Sequence, residues 1–237
     1  MTWLWRISSS LLVAGVGLAA TVSGRVQLAD SREASVRRQN DYSGVVVWLE
    51  PVGRTAPLGD SRKAAMVQKN KRFTPHILAI TVGTTVDFPN YDPIFHNAFS
   101  NFSGQPFDTG LYPPGTSHGV QFRREGIVRV FCNIHPSMSA VIVVLSTPYY
   151  AVSAQDGGIR MDNVPRGEYR LHAWHERAAE PALRALERTL RVEGDRVEFA
   201  PLRISESGYL EVPHQNKYGQ EYPPATSDYG PHPGMHR

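Results

Sequence analysis

The chain has 237 residues, 41% hydrophobic and 20% charged, with a formal net charge of +3 at pH 7. These proportions are ordinary for a globular protein of one or two domains, and the near-neutral charge, with no Lys/Arg block interleaved with aromatics, gives no support to nucleic-acid binding. Twenty glycines and eighteen prolines favour short strands and turns over long helices, and a single cysteine excludes an intrachain disulfide.

In chain order, residues 1–6 carry one positive charge, Arg6, and residues 11–20 form an apolar run. Small residues follow at Ser23 and Gly24. This is the layout of a signal peptide over residues 1–24, cleaved after Gly24. The run is too short and glycine-rich for a membrane span, which needs about 20 residues. An uncleaved anchor is the alternative, and either version sends the rest of the chain to the periplasm. Residues 25–42 read as loose and polar. Residues 43–50 read as a first strand, and residues 77–82 and 86–88 as a hairpin turning at Gly83. A long irregular stretch covers 89–118, with a short strand at 120–122. Residues 126–131 form a strand leading into Cys132, and residues 140–145 a strand leaving it, so the loop between them sits at one end of a β-sandwich.

Pro148 marks a boundary, after which 148–206 read as a second small β-module. Leu183, Leu186 and Leu190 give helical spacing over 177–191, although 189–192 suit a strand equally. Residues 207–237 are rich in Pro, Tyr, His and Gly and read as a disordered tail. The expected fold class is all-β: one sandwich over 40–147 followed by a second over 148–206.

The chemistry concentrates in Cys132-Asn133-Ile134-His135-Pro136-Ser137-Met138, with His96 on a separate upstream loop. One thiolate, two imidazoles and a weak thioether form the ligand set of a blue-copper site. Thiolate and thioether suit Cu(I), and imidazole suits either oxidation state. A loop clamped between two strands keeps the geometry nearly fixed when the charge changes. Asn97 is positioned to bond across to the ligand loop, and Pro136 stiffens the turn. Three other readings stay open. Cys132 could be an inert core cysteine. The metal could be zinc, although methionine is a poor zinc ligand. Cys132 could be a nucleophile, although no orienting acid is evident.

At these residues the chain resembles the cupredoxins. Its Cys-x2-His-Pro-x-Met spacing is similar to that of the amicyanins and shorter than in the plastocyanins. Gln68, Phe73-x-Pro75, the run from Val86 to Asn90, His96-Asn97, Phe107-Asp108-x-Gly110 and Cys132–Pro136 resemble cupredoxins labelled methylamine-utilisation proteins. The run Pro165-Arg166-Gly167-Glu168-Tyr169-Arg170-Leu171 is similar to one in carboxypeptidase-regulatory-type sandwiches. The resemblance implies a Greek-key cupredoxin fold with one type 1 copper ion on His96, Cys132, His135 and Met138. It further implies a periplasmic carrier passing single electrons between redox proteins, a c-type cytochrome or a dehydrogenase among them. The rivals are a copper-delivery protein and a copper enzyme such as a nitrite reductase, which needs a further catalytic copper. His172 and His175, three apart on a strand, point to opposite faces and are not expected to chelate. His214, His232 and His236 are expected to be solvated. Trp48 and Trp174 are expected in the core.

Overall fold

Two strands carry apolar runs on consecutive rather than alternate positions, Val46–Leu49 and Ala140–Leu145, and they organise the molecule. A strand that is apolar on both faces must be covered on both. The computed structural model describes residues 19–59, 62–101, 104–209 and 214–222. In chain order its elements are β1 (Ala19–Ala29), α1 (Ala34–Gln39), β2 (Val46–Pro51), β3 (Lys63–Ala65), β4 (Val67–Lys69), β5 (Arg72–Thr74), β6 (Ile77–Thr81) and β7 (Thr85–Pro89). There follow β8 (Phe99–Ser100), β9 (Phe107–Asp108), β10 (Ser117–Gln121), β11 (Gly126–Phe131), β12 (Ser139–Leu145), β13 (Tyr150–Val152) and β14 (Gly158–Pro165). The last are β15 (Gly167–Trp174), α2 (Glu180–Arg184), β16 (Arg188–Val192), β17 (Arg196–Glu198) and β18 (Leu202–Ser205).

The expected all-β sandwich architecture is what forms. Sheet β6-β12-β11-β8-β9 faces sheet β10-β7-β3 across a core that includes Phe88, Phe122, Val130 and Ile142. Sheet β13-β2-β15-β16 faces β14-β1-β17, with β18 also on β1, across a core that includes Leu49, Tyr169, Leu171 and Leu202. The two apolar strands join these sandwiches. In β2, Val47 and Leu49 enter the second core, while Val46 turns outward. In β12, Ile142 and Val144 enter the first core, while Val141, Val143 and Leu145 turn outward. The outward residues meet in a third buried cluster, flanked by Trp48 and Trp174. Four sheets thus enclose three apolar layers.

The chain order through this stack differs from two modules in succession. The strand expected to open the first sandwich, β2, is hydrogen-bonded to β13 and β15 and belongs to the second. The first sandwich, β3 to β12, is therefore inserted into the second, and the expected boundaries of 40–147 and 148–206 do not hold. A strand buried on both faces has to lie in a middle layer, and only the later strands offer β2 backbone partners there.

Residues 25–42, expected to be loose, contain the C-terminal part of β1 and all of α1. β1 alternates strictly, with Ala20, Val22, Val26 and Leu28 buried. It pairs antiparallel with β14 and parallel with β17 and β18. Gly24 lies mid-strand, where an added Cβ would fall 2.3 Å from the Phe199 ring, so only glycine admits that ring. Cleavage after Gly24 would remove half of a core strand, which corrects the expected cleavage position. The rest of the expected signal segment, residues 1–18, lies outside the described residues. Among the described residues no helix is long and apolar enough to cross a membrane. The expected hairpin at Gly83 is also different. β6 pairs parallel with β12, while β7 pairs with β10 and β3, so the turn carries the chain between sheets. Of the ambiguous stretch 177–191, a short piece becomes α2 and the end becomes β16.

Candidate metal centre

The register of β11 on β12 builds the ligand loop. Phe131 pairs with Ser139, which leaves residues 132–138 to turn the chain. The turn is closed by backbone bonds from Cys132 N to Met138 O at 3.2 Å and from Met138 N to His135 O at 3.0 Å. His96 arrives from the loop after β7. β8 pairs with β11 at Phe99 and Phe131, which brings the residues just before β8 alongside the loop. A bridge between His96 and Tyr112 fixes its backbone.

The side chains converge. Cys132 Sγ lies 3.8 Å from His96 Nδ1 and 3.6 Å from His135 Nδ1. The ligand atoms of all three residues lie within 4.8 Å of one another, which no other group of His, Cys, Asp or Glu among the described residues achieves with three or more members. Cys132 and His96 are fully buried, and His135 is half-buried. Met138 is fully buried in the same apolar layer as Cys132.

Neighbouring groups set the protonation and aim of each donor. Asp92 Oδ2 lies 2.7 Å from His96 Nε2, so Nε2 carries the proton and Nδ1 presents its lone pair to the cysteine side. Burial alone would push the Asp92 carboxyl upward. The N–H of Lys71, the His96 ring and the N–H of Asn70 together hold it below the usual carboxylate range. Burial pushes the Cys132 thiol up, opposed by the backbone N–H groups of Asn97, Ile134 and His135. His135 is driven down to about 4 by burial, with the charges of His96 and Lys71 acting in the same direction, so the ring is neutral at neutral pH. Asn97 Oδ1 accepts the Asn133 N–H at 2.7 Å, the bond expected between the two loops.

Several contributors were not foreseen in the sequence. Asp92 is one, although a carboxylate four residues before a candidate ligand is a readable signal. A second is the buried support of the His96 loop. Tyr112 Oη donates to Phe88 O at 2.7 Å and takes a bond from Gln68 Nε2, and Asn90 Nδ2 donates to Ile94 O at 2.9 Å. The third is part of the expected disordered tail. Residues 214–222 form a strap across the ligand loop. Tyr222 Oη donates to Cys132 O at 2.8 Å, Lys217 N to Asn133 Oδ1 at 3.0 Å, and His214 Nε2 to Pro136 O at 2.7 Å. The His214 ring stacks on Phe131 with centroids 4.0 Å apart, so His214 is not simply solvated. His232 and His236 lie outside the described residues. His172 is bound to Glu50 and Glu187, and His175 to Glu206, so the two histidines face different partners.

No family model matches the chain, and no curated protein sequence matches it. Solved structures do. A Cu-containing nitrite reductase from Thermus scotoductus SA-01 is 29% identical over 40% of this chain, with a TM-score of 0.35. The match spans only 25% of that enzyme. A purple cupredoxin from Nitrosopumilus maritimus is 26% identical, with a TM-score of 0.32, over 35% of this chain and 99% of its own. Amicyanin from Paracoccus versutus is 16% identical, with a TM-score of 0.34, over 41% of this chain and 97% of its own.

Proposed function

We propose that this protein is a cupredoxin-type single-electron carrier in which His96, Cys132, His135 and Met138 would hold one type 1 copper ion. The observation that carries the reading is the convergence of one buried sulfur and two imidazole Nδ1 atoms. Sulfur–nitrogen separations of 3.6 and 3.8 Å would let one ion, at metal–sulfur and metal–nitrogen distances of about 2.3 and 2.0–2.1 Å, be held by all three donors. A thiolate with two imidazoles and a nearby thioether is the donor chemistry of a copper electron-transfer site.

Copper held there would supply reversible one-electron exchange. The chain's own residues do the rest. Asp92 holds the His96 tautomer, and Asn97 ties the two ligand loops together. The backbone N–H groups around Cys132 favour its thiolate. The tight hydrogen bonding of the loop keeps the donors in place whichever charge the site carries, so little reorganisation accompanies the transfer. His135 reaches the surface beside exposed Pro136. Phe95 and Leu111, exposed beside the His96–Tyr112 bridge, add apolar area. The reading includes outer-sphere exchange with redox proteins, a c-type cytochrome or a dehydrogenase among them. It also includes export to the periplasm, supported by the apolar run before β1. The methylamine-utilisation and carboxypeptidase-regulatory likenesses rest on the sequence motifs alone.

The visible spectrum of the protein loaded with Cu(II) tests this. An intense blue thiolate band that vanishes in Cys132→Ser is expected. A pale spectrum indifferent to the substitution would remove the electron-carrier reading and favour copper delivery.

A further inference from the structure

Between β4 and β5 the chain turns through Asn70 and Lys71, both left-handed at φ 55° and 54°. This two-residue turn sends both backbone N–H groups inward. Asn70 N donates to Asp92 Oδ1 at 2.6 Å and Lys71 N to Asp92 Oδ2 at 2.8 Å. The same Oδ2 receives His96 Nε2. A single carboxylate therefore stands between the hairpin tip and a ligand histidine, and it fixes one to the other.

The tip is basic. Lys69, Lys71 and Arg72 are exposed, and none of them forms an ion pair among the described residues. Beside the tip runs a groove of about 650 Å³, whose lining includes Lys71, Arg72, His76, Ser137 and Ser139 and contains no carboxylate. Ser137 and Ser139 flank Met138, so the groove reaches the ligand loop. The nearby acids are already engaged: Asp92 by three N–H donors, and Glu176 by His76 and Arg177. Cations left unpaired next to a redox site attract an oppositely charged partner and orient it during encounter.

We propose that the basic tip of the β4–β5 hairpin, with the groove beside it, is the electrostatic docking site for a carboxylate-rich face of the redox partner. This rests on the electron-carrier reading above. The tip steers the partner, and its anchorage through Asp92 sets the partner's distance from His96.

The test compares the copper-loaded wild type with the variant carrying Lys69→Glu, Lys71→Glu and Arg72→Glu. The three positions are exposed, and matching visible spectra and melting temperatures confirm that the variant is intact. The reduced protein is oxidised by hexacyanoferrate(III), a trianion, and by tris(phenanthroline)cobalt(III), a trication, at ionic strengths of about 0.01 M and 1 M, where the Debye length is about 30 and 3 Å. For the wild type the trianion rate should fall about tenfold or more with salt, the low end of the range for steered association. The variant should lose that fall and gain one with the trication. Poly-glutamate should compete with the trianion on the wild type only. Equal salt dependence in the two proteins overturns the proposal. A salt-dependent trianion rate that poly-glutamate leaves untouched also overturns it, by assigning a small-anion site in place of a protein-docking one. If the wild type lacks the thiolate band, the electron-carrier reading falls and the docking proposal falls with it.

Discussion

Asp92 couples a surface turn to a buried ligand through one side chain. Its two oxygens accept three N–H groups, from Asn70, Lys71 and His96. In Asp92→Asn only one oxygen remains as acceptor, and the amide nitrogen would face N–H donors. At least one buried donor is left unpaired, at a cost of about 1–3 kcal/mol. We expect a lower denaturant midpoint for the metal-free variant. In the copper form, loss of negative charge beside the ligand should raise the reduction potential. An unchanged midpoint and potential would mean that the carboxylate neither supports the loop nor tunes the site. The convergence of Cys132 and His135 with His96 was legible because three candidate ligand types in seven residues, Met138 among them, are rare and a further donor had to come from elsewhere. Asp92 was not singled out, because a lone aspartate in a loop is usually solvated.

The strap of residues 214–222 acts on the Cys132–Met138 loop as a separate element. It bonds the carbonyls of Cys132 and Pro136 and the side chain of Asn133 without contributing a ligand. Tyr222→Phe keeps the ring and removes the hydroxyl's bond to Cys132 O together with its 3.2 Å contact to His214 Nδ1. We expect a chelator to withdraw copper several-fold faster from this variant, with the melting temperature of the metal-free protein shifted by no more than a few degrees. Equal withdrawal rates would leave the strap without influence on the loop. A second element-level contact joins the sandwiches. His76, just before β6, donates to Glu176 at 2.9 Å, and its other ring nitrogen lies 3.1 Å from Ser139 O. The bond to Glu176 raises the His76 pKa, and the stabilisation it gives is complete below the unfolded value of 6.5 and lost as pH rises through the higher folded value. For Glu176, burial acts upward, but the His76 bond leads the effects that hold its pKa below 4.5, so its contribution is lost as pH falls through that lowered value. The link is therefore strongest between about pH 4.5 and 6.5. The melting-temperature difference between wild type and His76→Ala should be larger at about pH 5.5 than at about pH 8.5, and a pH-independent difference would refute the charged link.

At the scale of the whole molecule, the apolar layer between β2 and β12 welds the two sandwiches. Its members Val46, Val141, Val143 and Leu145 are all buried. A fused interface of this kind predicts a single cooperative unfolding transition for the metal-free protein. Val143→Ala removes about two buried methylene equivalents and leaves a cavity, for a cost of about 2 kcal/mol. It should lower the melting temperature while calorimetry still records one transition. Two separated transitions in the wild type would show that the sandwiches unfold independently. The insertion of one sandwich into the other places the ligand loop and the long β2–β15 pairing in the same stack, so the docking hairpin is carried on a rigid frame.

The sequence by itself determined the all-β class, the Cys132–Met138 loop between two strands and the candidate donor residues, because period, turn residues and ligand chemistry are local properties. It also determined that β2 and β12 are strands, from their apolar runs. Tertiary structure alone decided which sheet each strand joins, since two-sided burial says a strand is central and does not name its neighbours. It decided that residues 19–24 belong to β1, because small alternating residues read equally as the end of a signal segment until Phe199 is packed against Gly24. It decided the strap and the bond from Asp92 to His96 as well. The strap depends on a contact at 90 residues' separation between Tyr222 and Cys132, and Asp92 is held in place by the β4–β5 turn 22 residues before it, distances at which the chain carries no periodic signature.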